Sequence, residues 1–101
     1  MGTRLEFQAV LEALQEGVSV YFQPPTNVQM NYPAIVFNRD YRKVEFADNA
    51  PYSQTIRYQV TVIDKDPDSV IPNLVGALPM TTYVRHYTTA SLNHDIYSVY
   101  F

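Results

Sequence analysis

Three groups of side chains in this sequence are of types that take part in catalysis or metal binding. The first is the acidic turn, residues 64–69, in which Asp64, Asp66 and Asp68 alternate as at the start of a calcium-binding loop. Such a loop also needs a central glycine and a distal bidentate glutamate, whereas Pro67 and Ser69 occur here. We therefore interpret these residues as a solvated turn that favours the positive end of a following helix.

The second group is His86, His94 and Asp95, which a hairpin would bring close together. The spacing matches no zinc pattern, and a zinc site needs at least one further well-placed ligand. We interpret the two histidines as structural or solvent-facing residues, and we expect no metal site.

The third group is Ser53, Ser91 and Ser98, none of which lies in the strained G-x-S-x-G turn that exposes a nucleophilic serine. With only three glycines in the chain, no phosphate-cradling loop is present. The sequence therefore predicts a protein that is not an enzyme and has no cofactor.

Composition narrows the class of protein further. A chain of 101 residues predicts one domain, residues 1–101. The net charge of −3 without a basic run argues against nucleic-acid binding as a direct activity. The chain has no cysteine, which fits a reducing cytoplasm. It also lacks a secretory pattern and an apolar run of the roughly 18 residues that span a bilayer, so we expect no membrane partner.

The N-terminal third of the sequence predicts one helix and two strands. Thr3 and Glu6 form a capping box at the helix start, and Gly17 is placed to end the helix. Residues 18–22 and 34–38 are rich in β-branched and aromatic side chains, which favour strands. The apolar stripe of the helix consists of Phe7, Val10, Leu11 and Leu14.

The strongest pattern is the alternation over residues 55–62, which indicates a half-buried strand. Ile56, Tyr58, Val60 and Val62 share one face, and Thr55, Arg57, Gln59 and Thr61 share the other.

A second helix and two further strands follow. We expect the helix over residues 70–78, with Asp68 or Ser69 as its N-cap and Pro72 in its first turn. Strands at 82–88 and 95–101 are joined by a loop at 89–94. These elements predict an α+β fold, in which two helices pack on a mostly antiparallel sheet of about five strands.

Between two of the strands lies the arm, residues 39–53, which is either a long loop or a hairpin interrupted by a turn at 48–51. We interpret the arm as a contact element, with aromatic anchors and cations that pair with acidic groups such as those of the acidic turn. In the alternative interpretation, the arm folds back over its own sheet. The candidate contact residues are Arg39, Tyr41, Arg42, Lys43, Phe46 and Tyr52, with Asp64, Asp66 and Asp68 as the opposing group.

Several short runs in the C-terminal two-thirds carry a family resemblance. They are 32–35 (YPAI), 38–39 (NR), 46–52 (FADNAPY), 57–63 (RYQVTVI), 64–69 (DKDPDS), 78–79 (LP), 85–87 (RHY) and 92–95 (LNHD). Together they resemble the small tail-completion proteins of long-tailed bacteriophages, the tail terminator or tail-to-head joining family. The resemblance covers about residues 32–101.

The resemblance implies a structural virion protein that is assembled in the host cytoplasm and forms a hexameric ring. The ring caps the head-proximal end of the tail tube, stops tube polymerisation and joins tail to head. Its partners are further copies of itself, the tail tube protein and a head-completion or connector protein. DNA passes through the lumen without specific binding, which suits an acidic protein. No catalytic residues or cofactors are implied.

Two alternatives stay open at the level of sequence. One is another neck or minor tail component, such as a head-closure protein. The other is a small cytoplasmic ligand-binding domain, which requires an apolar pocket with converging polar groups.

Overall fold

A five-stranded sheet with two helices makes up the fold. The computed structural model describes residues 3–24, 31–47, 50–66 and 68–101, with the backbone alone between residues 42 and 55. The elements in chain order are α1 (Arg4–Glu12), β1 (Ser19–Phe22), β2 (Ala34–Ala47), β3 (Ala50–Asp64), α2 (Ile71–Gly76), β4 (Thr81–Thr89) and β5 (Leu92–Tyr100).

The strand order is β1-β2-β3-β5-β4. Among the strands of the described residues, β1 and β2 pair in parallel, and the other three pairings are antiparallel. The predicted α+β fold with a mostly antiparallel sheet is therefore confirmed.

The first helix begins where its capping box predicts. The Thr3 hydroxyl accepts a hydrogen bond from the Glu6 backbone N–H at 3.2 Å, and the Glu6 carboxylate accepts one from the Thr3 N–H at 3.4 Å. The helix ends at Glu12, earlier than expected, and the chain continues through a turn to Gly17. The φ angle of Gly17 is 87°, a value that glycine adopts at little steric cost.

The core lies between the two helices and one face of the sheet. Phe7 is its central contact, because its ring centre is 5.4 Å from that of Phe37 and 4.8 Å from those of both Tyr58 and Phe101. Burying a large apolar side chain stabilises a fold by about 1.5–3 kcal/mol. The buried cluster consists of Phe7, Leu11, Ile35, Phe37, Tyr58, Val60, Val62, Ile71, Val75, Tyr97 and Val99.

The alternation predicted for the long strand is confirmed within the described side chains. Tyr58, Val60 and Val62 are fully buried, whereas Gln59 between them is exposed. At the end of the strand the alternation breaks, because Ile63 is also buried although it faces the opposite side of the sheet.

The start of the second helix differs from the prediction. Its N-cap is Val70, which makes no side-chain hydrogen bond, rather than Asp68 or Ser69. Asp64, Asp66 and Asp68 instead form a turn of their own before the helix, in which the Asp64 carboxylate accepts from the Asp66 N–H and the Asp66 carboxylate accepts from the Asp68 N–H. The Ser69 hydroxyl accepts from the Ile71 N–H at 3.3 Å. Pro72 does lie in the first turn, as predicted.

The last two strands are longer than predicted, and the expected loop at 89–94 is wrong. Pairing continues to Thr89 and Leu92, which leaves a two-residue turn of Ala90 and Ser91. Both turn residues have positive φ angles, 51° and 63°. Positive φ at both central positions is the geometry of the type I′ turn, which suits the twist of paired strands.

The arm is a β-hairpin that prolongs the pairing of β2 with β3 to Ala47 and Ala50. On the outer side of β2, the pairing with β1 ends at Phe37. On the outer side of β3, the pairing with β5 ends at Arg57. Residues 42–47 and 50–55 therefore form a two-stranded ribbon beyond the rest of the sheet. The molecule measures 51 × 28 × 24 Å.

Two tyrosines of the core provide a matched test of buried hydroxyl groups. The Tyr58 hydroxyl is buried and has no hydrogen-bond partner among the described residues, whereas the Tyr97 hydroxyl donates to the Pro72 carbonyl at 2.9 Å. We expect Tyr58→Phe to raise the free energy of unfolding by about 1 kcal/mol, and Tyr97→Phe to lower it by about 1 kcal/mol. Urea denaturation measures both, and equal destabilisation by the two variants would show that the Tyr58 hydroxyl is paired.

The turn between β4 and β5 provides a test of backbone strain. Replacing Ala90 by Asn and Ser91 by Gly installs the residue pair that a type I′ turn favours. We expect the free energy of unfolding to rise by about 1 kcal/mol, because positive φ is costly for the native residues. Thermal denaturation against Ala90→Asn alone, which keeps Ser91 at positive φ, provides the measurement and its control. A double variant no more stable than this control would refute the turn geometry.

Candidate functional site

Arg39, at the base of the arm, packs against its own chain. Its guanidinium carbon lies 5.8 Å from the centre of the Phe22 ring, and its backbone N–H donates to Gln23 Oε1 at 3.3 Å. Arg4 approaches the same ring, at 4.7 Å. Arg39 therefore helps to hold the base of the arm against β1, in addition to any contact it makes outside the molecule.

Tyr41 is the one predicted aromatic anchor whose side chain is described, and it is half exposed. Arg57 lies beside it, with its guanidinium carbon 5.1 Å from the Tyr41 ring centre. The Arg57 Nε donates to Asp40 Oδ1 at 2.8 Å, and this hydrogen bond is the leading cause that raises the pKa of Arg57. Asp40 falls at a register shift between Arg39 and Tyr41. The Asp40–Arg57 pair was not predicted, because a one-residue shift in pairing is invisible in the alternation pattern.

The remaining predicted arm residues lie in the ribbon, where the side chains are outside the described part of the structure. Their backbone positions are described: Lys43 is opposite Thr55, and Arg42 is opposite Ile56. The others are Phe46 and Tyr52, both within the paired strands.

The acidic turn lies at the opposite end of β3 from the ribbon. Lys43 pairs with Thr55, and Asp64 lies nine positions further along the strand than Thr55, which corresponds to about 30 Å. The basic residues of the arm and the carboxylates of the acidic turn therefore do not meet within one molecule. An ion pair between them requires two copies of the chain.

A second exposed surface was not predicted from the sequence. The edge strand β4 is exposed along its whole length except at its first residue, Thr81, which is half-buried. Its relative exposures are 52% for Tyr83, 52% for Val84 and 39% for Tyr87, and Met80 just before it reaches 70%. The sequence predicts a strand over residues 82–88, but its position at the edge of the sheet depends on the strand order.

A groove of about 880 Å³ lies between α2 and the strands β4 and β5. His86 Nδ1 lies 2.9 Å from Asp95 Oδ1, and His86 Nε2 lies 3.5 Å from the Thr88 hydroxyl. Tyr83 packs edge-on against Tyr97, with 5.3 Å between ring centres. The groove is lined by Asp68, Ser69, Pro72, Asn73, Gly76, Ala77, Tyr83, His86, Asp95 and Tyr97.

The predicted approach of His86, His94 and Asp95 is only partly correct. His86 and Asp95 are opposite each other across the hairpin and share one face. His94 lies on the other face, where its ring stacks on Tyr87 at 4.5 Å and its Nδ1 lies 3.2 Å from the Leu92 carbonyl. The described residues contain no group of three side chains suited to hold a metal ion.

Electrostatics in the groove favour neutral tyrosines. Burial is the leading cause that raises the pKa of Tyr97, and the negative charge of Asp95 adds to the effect. The same two causes raise the pKa of Tyr83. The groove thus offers hydroxyl, imidazole and carboxylate groups for hydrogen bonds above an aromatic floor, which suits the binding of a polypeptide segment.

A smaller cavity of about 230 Å³ lies between α1 and the end of β5. Its lining is almost wholly apolar: Phe7, Val10, Leu78, Pro79, Met80, Val99, Tyr100 and Phe101. Among the described residues, none of the helices has the length and hydropathy needed to cross a membrane.

Comparison with known proteins adds no assignment. The chain matches no family model, no curated protein and no solved structure.

The raised pKa values of the groove tyrosines predict that the free energy of unfolding falls as the pH becomes alkaline. Because the folded-state pKa of Tyr97 is raised, its contribution to stability is complete below the ordinary pKa of about 10 and is lost as the pH rises through the raised value. We expect the unfolding free energy of the wild type to fall more steeply above about pH 10 than that of Tyr97→Phe. Urea denaturation across that range measures this. Parallel curves would contradict the assignment, and Asp95→Asn should reduce the pKa shift without abolishing it.

Proposed function

We propose that this protein is a structural virion protein, a tail terminator that forms a ring at the head-proximal end of a phage tail tube. In this role it stops tube polymerisation and joins the tail to the head, without catalysing a reaction. The proposal combines the resemblance of residues 32–101 to tail-completion proteins with one structural observation, the two-stranded ribbon at the end of the arm.

The ribbon is the observation that carries the proposal. Residues 42–47 and 50–55 pair only with each other among the described residues. An isolated two-stranded hairpin is marginally stable in water, because few of its side chains are buried. The outer edges of both strands also carry backbone N–H and C=O groups available for pairing. A neighbouring molecule that packs on the ribbon removes both deficits.

The charge distribution supports contacts between copies. The cations at Arg42 and Lys43 are separated by about 30 Å of strand from the acidic turn. A ring requires two different and complementary faces on each subunit. The cations of β2 and the acidic turn that follows β3 supply opposite charges at two separate places on the molecule. Exposed ion pairs contribute only about 0–1 kcal/mol, so backbone pairing and apolar burial must provide most of the affinity.

The net charge of −3 agrees with a lumen through which DNA passes. Neutralising phosphates with a basic surface would hold the DNA in place, and the chain has no basic run that could do so.

A ligand-binding domain is the rival class, and the described cavities favour it less. The polar groove of about 880 Å³ is open, and the apolar cavity of about 230 Å³ is smaller than typical ligand sites of roughly 300–1,000 Å³. Neither combines an apolar enclosure with converging polar groups. A head-closure or minor tail protein shares the same structural class, and the position of the subunit in the particle distinguishes it from a terminator.

Shortening the arm tests the proposal. Replacing residues 43–55 by Asn-Gly joins Arg42 to Ile56, which are paired in the sheet, through a favoured two-residue turn. We expect a folded monomer with unchanged thermal unfolding that no longer forms rings. Solution mass and negative-stain imaging, with and without polymerised tail tube protein, provide the measurement.

The full-length chain is the control for the shortened variant. We expect it to form rings, at the latest when tail tubes are present. A full-length protein that stays monomeric even on tubes would refute the proposed function. An unfolded shortened variant would show that the arm belongs to the core.

A further inference from the structure

We infer that the exposed edge of β4 in one copy binds the outer edge of the ribbon segment 42–47 in a second copy, which adds to the sheet as a sixth strand. This inference rests on the proposed self-association and names the two surfaces that make it. We call β4 the acceptor edge and segment 42–47 of β2 the donor edge.

The acceptor edge is long and has few of the features that protect edge strands. It is nine residues long, and among the described residues its only strand partner is β5. Proteins commonly protect such edges with Pro, Lys, bulges or very short strands. The segment from Thr81 to Thr89 contains neither Pro nor Lys, and its protective features are Arg85 and one register shift between Tyr83 and Arg85. Tyr83, Val84 and Tyr87 expose apolar surface along it.

The donor edge fits this acceptor in length and chemistry. Segment 42–47 spans about 20 Å and lies beyond the last residue of β1, which pairs only as far as Phe37. Its sequence, RKVEFA, contains no proline, so each residue has a backbone N–H. The other strand of the ribbon contains Pro51, which cannot donate a hydrogen bond. The β2 side of the ribbon is therefore the better donor.

The groove next to β4 supplies selectivity. In strand addition, backbone hydrogen bonds provide affinity, and pockets for alternate side chains provide specificity. A strand added to β4 places alternate side chains over the groove that Tyr83 and His86 line together with α2. That groove also contains Asp68 and Asp95.

The cations of the donor match this acidic groove. Neighbouring residues of a strand point to opposite faces, so an added donor strand offers two alternating sets, one with Arg42 and the other with Lys43 and Glu45. Only the set with Arg42 has a cation and no carboxylate, so charge complementarity favours the register in which this set faces the groove.

The topology makes the contact directional. The acceptor β4 lies at one end of the strand order, and β2 exposes its donor edge on the side of β1, at the other end. Each copy therefore gives one ribbon and receives one. Such a heterologous contact closes into a ring or continues as a filament, according to its rotation.

Cysteine cross-linking tests the contact directly, because the chain contains no cysteine. Val44→Cys in the donor and Val84→Cys in the acceptor are made as separate variants with tags of different mass. After mixing under conditions in which the wild type assembles, a short bismaleimide is expected to give a cross-linked heterodimer. Leu5→Cys, on an α1 residue that is 66% exposed, replaces Val84→Cys as the control and is expected to give none.

A charge on the acceptor edge provides the second arm of the test. Like charges on paired strands repel, so Val84→Lys sets a new cation on the acceptor edge against Arg42 and Lys43 of the donor. Val84 is half exposed, so the variant should leave thermal unfolding unchanged. We expect self-association to weaken roughly tenfold or more, a change of about 1.4 kcal/mol, whereas Leu5→Lys keeps the wild-type affinity.

The outcomes separate this inference from the proposed function. Rings that assemble with unchanged affinity in Val84→Lys and without a cross-link between positions 44 and 84 would overturn the inference and leave the ring intact. A wild-type chain that never self-associates, even on tail tubes, would overturn both. Cross-linking with loss of affinity in Val84→Lys would establish the contact.

Discussion

The pairing of β2 with β3 is the interaction on which the rest of the structure depends. Where the start of β2 pairs with the end of β3, the two strands form the middle of the sheet, and Phe7 of α1 packs on their buried face. Where the end of β2 pairs with the start of β3, the same two strands extend beyond the sheet as the ribbon. Because the two halves are one continuous hairpin, the packed core sets the direction of the arm. The ribbon is therefore held in a fixed direction by a well-packed core, although few contacts within its own molecule stabilise it.

The two helices cover the middle of one face of the sheet but not its edge at β4. The face that carries the helices buries a continuous aromatic and aliphatic cluster. The sheet extends past this cover at β4, where apolar side chains remain exposed. A protein with a long open edge at one end and a two-stranded ribbon at the other is suited to association with copies of itself. This arrangement supports the proposed structural role.

Local sequence signals predicted the elements whose stabilisation is local. The capping box of Thr3 and Glu6 and the alternation around Tyr58 each depend on residues a few positions apart, and both were predicted correctly. The cap of α2 was predicted wrongly, because the turn that Asp64, Asp66 and Asp68 form ends before the helix, which begins at Ile71. The turn at Ala90 and Ser91 was also missed, since neither residue type signals positive φ.

By itself, the sequence determined the α+β class, the buried face of β3 and the residues of the arm, because periodicity and turn chemistry are local properties. Only the tertiary structure decided which strand lies at the open edge and that the arm is a ribbon beyond the sheet. It also decided that pairing with β4 extends β5 back to Leu92, so that His94 lies within the strand and faces away from Asp95. Those features depend on strand order and register, which arise from contacts between residues distant in the chain.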